Sequence, residues 1–207
     1  RYVNIYTTAQ ARHLGVYSSK YYRVELSATG AVFTIGATLN LFITGIQIKN
    51  LQFKGTNNER GFDIVNTNGN LTMDSVIAIA NQIPLRTNST TANYIFRNCI
   101  FIAPGFVSGG TAVSYVTFSG GGMEFDNVVG INERKGGIVF NRGTGGSAIC
   151  KNCYAGGPGS IGYAGAGGAW TLTTSASSAN DGSAGLSNIP YSSGSGSYFK
   201  DVLFAGY

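Results

Sequence analysis

Apolar and polar residues alternate along this chain in short bursts, without the periodicity of helical turns. In IQIKNLQF at 46–53 the apolar positions are the first and third, then the sixth and eighth, with a charge at the fourth and Asn at the fifth. The pattern returns as LTMDSVIA at 71–78, YIFRNCIF at 94–101, MEFDNVVG at 123–130 and AICKNCYA at 148–155. A weaker copy, WTLTTSAS, occupies 170–177, and the last, SYFKDVLF, occupies 197–204. Successive copies start 22–29 residues apart, a spacing that marks a solenoid.

Alternation at the first and third positions is the two-residue period of a strand with one buried face. The break in phase before the sixth and eighth positions predicts a bend at the fourth and fifth. Asn suits the fifth position because it tolerates the left-handed backbone that a one-residue corner requires. Each copy therefore predicts a strand, a corner and a second strand, and the remaining residues close a coil. Stacked, the coils make an all-β single-stranded parallel β-helix, a solenoid of about eight coils rising roughly 40 Å at one strand spacing per coil. Its core would hold Ile46, Ile48, Leu51, Leu71, Met73, Val76, Tyr94, Phe96, Cys99, Met123, Phe125, Val128, Cys150, Cys153, Leu172, Phe199 and Val202, with Asn50, Asn98, Asn127 and Asn152 as a corner ladder. Residues 31–35 and 39–43 read as earlier strands. The organisation expected is one domain over 1–207, part of a longer chain or assembly, with 1–23 as an N-terminal cap or partner-contacting segment and 24–207 as coils.

Composition narrows the function. Charged residues are 11 % of the 207, against roughly 25 % in typical globular proteins, while 43 % hydrophobic content is too high for a disordered chain. The 31 glycines gather between the copies, where turns and close backbone approach are expected. The only histidine, His13, excludes centres that need two imidazoles. No apolar run approaches the ~18 residues of a membrane span, so no membrane insertion is expected. The net charge of +5 is spread out, with no basic run longer than Arg134-Lys135, so no nucleic-acid partner is expected. The chain starts at Arg1 without a signal-like apolar stretch, the expectation for a processed chain or a fragment.

The fourth positions read Lys49, Asp74, Arg97, Asp126, Lys151, Thr173 and Lys200, an alternating ladder of solvated charges on one outer stripe. Cys150 and Cys153 have CxxC spacing, but both fall on inward positions; with Cys99 they are expected as reduced, buried small hydrophobes, with no metal and no cofactor. Glycoside chemistry needs two carboxylates facing each other across a bond; the nearest local candidates are Glu124 and Asp126. Glu59-Arg60 with Asp63, and Glu133-Arg134-Lys135, are expected in loops beside a possible groove. Tyr17, Tyr21 and Tyr22 gather beside Arg23, a composition suited to packing on a partner or stacking on sugars.

With copies such as IQIKNLQF, YIFRNCIF and AICKNCYA, the chain resembles the right-handed parallel β-helix proteins of the pectate-lyase-like superfamily. Its C-terminal part, with CKNCYAGG at 150–157 and DGSAGL at 181–186, looks like β-helix proteins of bacteriophages and environmental viruses. No segment matches the paired-Asp signature of polygalacturonases or the acidic calcium cluster of pectate lyases, so no catalytic residue is carried over. The resemblance implies a virion structural protein, a tail fibre, tailspike or capsid-surface projection on the virion surface. Its partners would be further copies of itself, three-fold assembly being the expectation, together with other virion proteins and host-surface glycans. The alternatives are a polysaccharide-degrading β-helix enzyme and a secreted bacterial adhesin or surface filament at the cell surface.

Overall fold

The computed structural model describes residues 2–8, 11, 17–18, 20–26, 31–35, 45–55, 60–65, 70–81, 83–88, 93–104, 122–133, 138–142, 147–157, 161–165, 170–177 and 187–188. The chain runs through β1 (Tyr2–Tyr6), β2 (Arg23–Leu26) and β3 (Ala31–Ile35). It repeats the circuit in β4 (Gly45–Lys49), β5 (Gln52–Gly55) and β6 (Arg60–Val65), and again in β7 (Asn70–Asp74), β8 (Ile77–Ile79) and β9 (Ile83–Asn88). There follow β10 (Asn93–Arg97) and β11 (Ile100–Ala103), then β12 (Gly122–Asp126), β13 (Val129–Asn132) and β14 (Ile138–Arg142). The series closes with β15 (Ser147–Lys151), β16 (Tyr154–Gly156) and β17 (Ile161–Gly165), and finally β18 (Thr171–Thr173), β19 (Ala176–Ser177) and β20 (Ser187–Asn188).

These strands form a parallel β-solenoid, and no helix occurs among the described residues. The first sheet has seven strands in the order β1-β4-β7-β10-β12-β15-β18, and the second eight in the order β2-β5-β8-β11-β13-β16-β19-β20. The third face carries β3-β6-β9 and, separately, β14-β17. Register follows the sequence copies: Ile48 pairs with Met73, Met73 with Phe96, Phe96 with Phe125, Phe125 with Cys150 and Cys150 with Leu172. This column is buried from Ile48 to Cys150, and Leu172 packs half-buried on the end. The strand β1 is a further rung of the first sheet, with Ile5 beside Ile48.

Every described corner takes the left-handed conformation. Asn50, Asn98, Asn127 and Asn152 have φ of 59°, 52°, 54° and 52°, and Ser75 and Thr174 take the same role at 56° and 48°. The turned amide then points along the stack. The Asn50 N–H donates to the Asp74 carbonyl at 3.0 Å, and Asn98, Asn127 and Asn152 repeat the bond to Asp126, Lys151 and Thr173. One-residue bending thus stabilises itself rung by rung, because it leaves no orphaned backbone donor.

The coil number differs from expectation. Where the repeat predicts about eight coils, about three turns, those of β1 to β9, close on three continuous paired sheets. The repeat marks only the two strands flanking the corner. A closed turn also needs a third paired strand, and that strand is supplied by the segments of unequal length between the copies. Here Phe62, Ile64 and Leu85 fill the core from β6 and β9, and Phe140 and Tyr163 from β14 and β17. Gly130 shows the consequence: a Cβ there would lie 2.6 Å from Val139 and 3.0 Å from the Phe140 ring, so the second sheet gives up a side chain to admit the third face.

The expected strand at 39–43 and the copy at 197–204, with Phe199, Lys200 and Val202, lie outside the described residues, as do Glu59, Arg134 and Lys135.

Candidate functional site

Period-2 alternation turns the second and fourth positions of each copy outward on the first sheet. The fourth-position column runs Tyr6, Lys49, Asp74, Arg97, Asp126, Lys151 and Thr173 in direct register. Two of its charges, Lys151 and Asp74, are engaged by neighbouring groups. Lys151 Nζ donates to Glu124 Oε1 at 2.9 Å, and this carboxylate holds the Lys151 ammonium above its ordinary pKa. Asp74 accepts from Asn98 Nδ2 at 3.1 Å and from Ser75 Oγ at 3.1 Å, and Asn127 Nδ2 continues the corner ladder onto Asn98 Oδ1 at 3.4 Å. Thr174 donates its hydroxyl to Asn152 Oδ1. Glu124 and Asp126 therefore sit two residues apart on one outward face of β12, and Glu124 is engaged by an ammonium.

At the β1 end of this face the engagement stops. Asn4, Ile5, Tyr6, Gln47 and Lys49 line a cleft of about 290 Å³, and the Tyr6 ring is 69 % exposed. Lys49 makes no ion pair among the described residues. An open aromatic face next to two amides and an ammonium offers stacking and hydrogen bonding together, the combination that polar ring-shaped ligands require.

The N-terminal tyrosines divide in role. Tyr17 lies against the outside of the second sheet, donates its hydroxyl to Glu25 and carries Lys54 Nζ 5.4 Å from its ring centroid. Partial burial, then the bond to Glu25, pushes the phenol above its ordinary pKa. That bond, together with Arg23 Nε at 2.8 Å, holds the Glu25 carboxyl below its usual range. Tyr21 is half-buried and Tyr22 is 58 % exposed. The segment is tied down by the fully buried Gln52. Its Oε1 accepts the Ser18 amide at 2.8 Å, and its Nε2 donates to the carbonyls of Ser18 and Tyr22 at 3.2 and 3.3 Å.

The sequence pattern missed two features. Ile77, Ile100, Val129 and Tyr154, all at the seventh position, form with Ile131 a second apolar cluster on the outer face of the second sheet, against which Tyr17 packs. Four successive apolar seventh positions were the signal. They make unbroken hydrophobic runs, the mark of a parallel strand covered on both faces. The second feature is on the third face. Arg60 and Asp63, expected in a loop, belong to β6, because Phe62 and Ile64 alternate inward there. Asp63, its side chain 6 % exposed, receives Arg60 Nη1 at 2.8 Å and Arg86 Nε at 2.9 Å.

The three thiols are free and buried. Burial pushes Cys99 up to about 12 and Cys150 well above its ordinary value, so neither offers a thiolate at neutral pH. Among the described residues no three His, Cys, Asp or Glu side chains group as metal ligands.

Comparison with protein-family models, with curated proteins and with solved structures finds no match for the chain.

Proposed function

We propose that this chain is a structural element of a virus particle, a tail-fibre, tailspike or capsid-surface projection, in which the solenoid serves as a rigid shaft or host-facing surface. The observation that carries this reading is how the first sheet spends its outward groups. Lys151 with Glu124, Asp74 with Asn98 and Asn98 with Asn127 join rung to rung, cross-links that suit a rigid shaft. The resemblance of the copies to viral members of the pectate-lyase-like β-helix proteins supports the same assignment. Partners of such a rod are further copies of itself, in three-fold assembly, and neighbouring particle proteins.

The cleft of Asn4, Tyr6, Gln47 and Lys49 favours a host-facing role over a purely internal one, since its ring and amides suit a surface glycan. Immunogold electron microscopy of purified particles, with antibodies raised against the folded chain, tests the reading. Gold at tails or capsid surfaces is the expected outcome. Particles without gold, or new reducing ends and unsaturated products when the chain meets a panel of acidic polysaccharides, would overturn it in favour of an adhesin or an enzyme.

A further inference from the structure

Among the described residues, six corners carry a third-position and a sixth-position side chain into the core on either side of a left-handed residue. Five pair two different residues, such as Phe96 with Cys99 and Phe125 with Val128. In the β15–β16 rung both are cysteine. Cys150 and Cys153 are fully or almost fully buried and flank the left-handed Asn152 corner, both side chains turned into the core. Cys153 Sγ reaches the carbonyls of Lys151 at 3.3 Å and Phe125 at 3.5 Å, which holds it on the inner side of the bend. Cys99 lies two rungs away, with Val128 between, roughly 10 Å at one strand spacing per rung and too far to bridge.

We propose that Cys150 and Cys153 form a redox pair that closes into a disulfide across the corner. The oxidant is a small disulfide of the glutathione class. When the rung opens to water and the desolvation that keeps the thiols protonated is relieved, one cysteine loses its proton and attacks the oxidant as a thiolate, forming a mixed disulfide and releasing one small thiol. The second cysteine attacks the mixed disulfide and releases the other. Each cysteine gives up one proton and one electron, the new bond joins the two Sγ atoms, and the oxidant's own S–S bond is reduced. The product is uncharged and has no donor to satisfy, which suits an apolar core. Access comes from local opening at β18, the last strand of the first sheet among the described residues, which has only three residues with Thr171 and Thr173 exposed. Short strands of this kind open at low cost.

The test refolds the full chain from denaturant in reduced and in oxidised glutathione, with recovery of strand content checked by circular dichroism. Denaturation with an alkylating agent and peptide mapping by mass spectrometry then follow. The reduced sample should carry label on all three cysteines. The oxidised sample should lose two of the three labels and keep Cys99 alone, and the peptide holding Cys150 and Cys153 should be two hydrogens lighter. Cys99→Ala should keep the bridge, and Cys150→Ala should leave Cys153 as a glutathione adduct. Three labelled cysteines after oxidation, a stable mixed disulfide in the unmutated chain, or a bridge that includes Cys99 would overturn the proposal.

Discussion

The rings of Phe96 and Phe125 stack in adjacent rungs, their centroids 4.9 Å apart and their planes within 18° of parallel. They are also direct register partners of β10 and β12, so each rung places its ring at the spacing of the sheet itself. Neither ring is exposed to water, and Phe96 meets Phe101 edge-on at 6.1 Å on its other side. Phe96→Ala should therefore leave a cavity that the two rigid sheets cannot collapse into, and should cost ~3–5 kcal/mol. The shift in the urea unfolding midpoint at constant slope measures it.

The corner residues yield a prediction with two signs. Asn98 has φ of 52°, donates to Asp74 and accepts from Asn127. A β-branched side chain there should meet the left-handed penalty and lose both bonds, so Asn98→Val should destabilise by about 2–3 kcal/mol. Asn98→Gly should recover the backbone share only. Thr174 already carries a β-branched side chain at φ 48°, and its replacement by Asn should stabilise by about 1 kcal/mol. Thermal melts of the three variants decide the point; equal losses at both corners would contradict it.

Asp63 holds Arg60 of its own strand and Arg86 of the neighbouring rung. Asp63→Ala should leave both guanidinium groups without their acceptor in a largely buried setting, at a cost of about 3 kcal/mol. Glu124→Gln, which removes the exposed partner of Lys151, should leave the melting temperature unchanged within error, because water and salt already screen that pair. Differential scanning calorimetry should show a clearly lowered melting temperature for the Asp63 variant and the unaltered one for the Glu124 variant.

Alkaline stability follows from the buried thiols. Cys99 sits at about 12 in the fold against an ordinary 9.0, so between these values the unfolded chain releases a proton that the folded chain keeps. Its contribution is complete below pH 9 and is lost as pH rises towards 12, at about 1.4 kcal/mol per pH unit. Cys150 is shifted in the same direction. Urea midpoints taken at pH 8, 9.5 and 11 should fall, and Cys99→Ala should fall less steeply above pH 9.

What the sequence disclosed and what it hid have physical causes. Ile48, Met73, Phe96 and Phe125 were readable as one column because a strand repeats every two residues, and Asn50, Asn98, Asn127 and Asn152 because few residues accept the left-handed corner. The third face left no such trace: Phe62, Ile64 and Leu85 belong to segments whose length varies between copies. Strand β1 escaped because the next strand, β2, follows only after residues 7–22, which breaks the eight-residue pattern. The cleft joins Asn4 and Tyr6 to Gln47 and Lys49, and the third-face ion pairs join Asp63 to Arg86. Stacking alone brings these residues together, so no local motif announces them.

Methyl-labelled methionine gives the most direct measurement of the stacked core, because the chain has only two methionines, Met73 and Met123. Both are buried, Met73 between Ile48 and Phe96 in register and Met123 between Tyr94 and Ala148. Nuclear Overhauser spectra should connect the Met73 methyl to the Ile48 methyls and the Phe96 ring, and the Met123 methyl to the Tyr94 ring and the Ala148 methyl. Methyl resonances that exchange contacts with water and touch none of these four residues would contradict the solenoid.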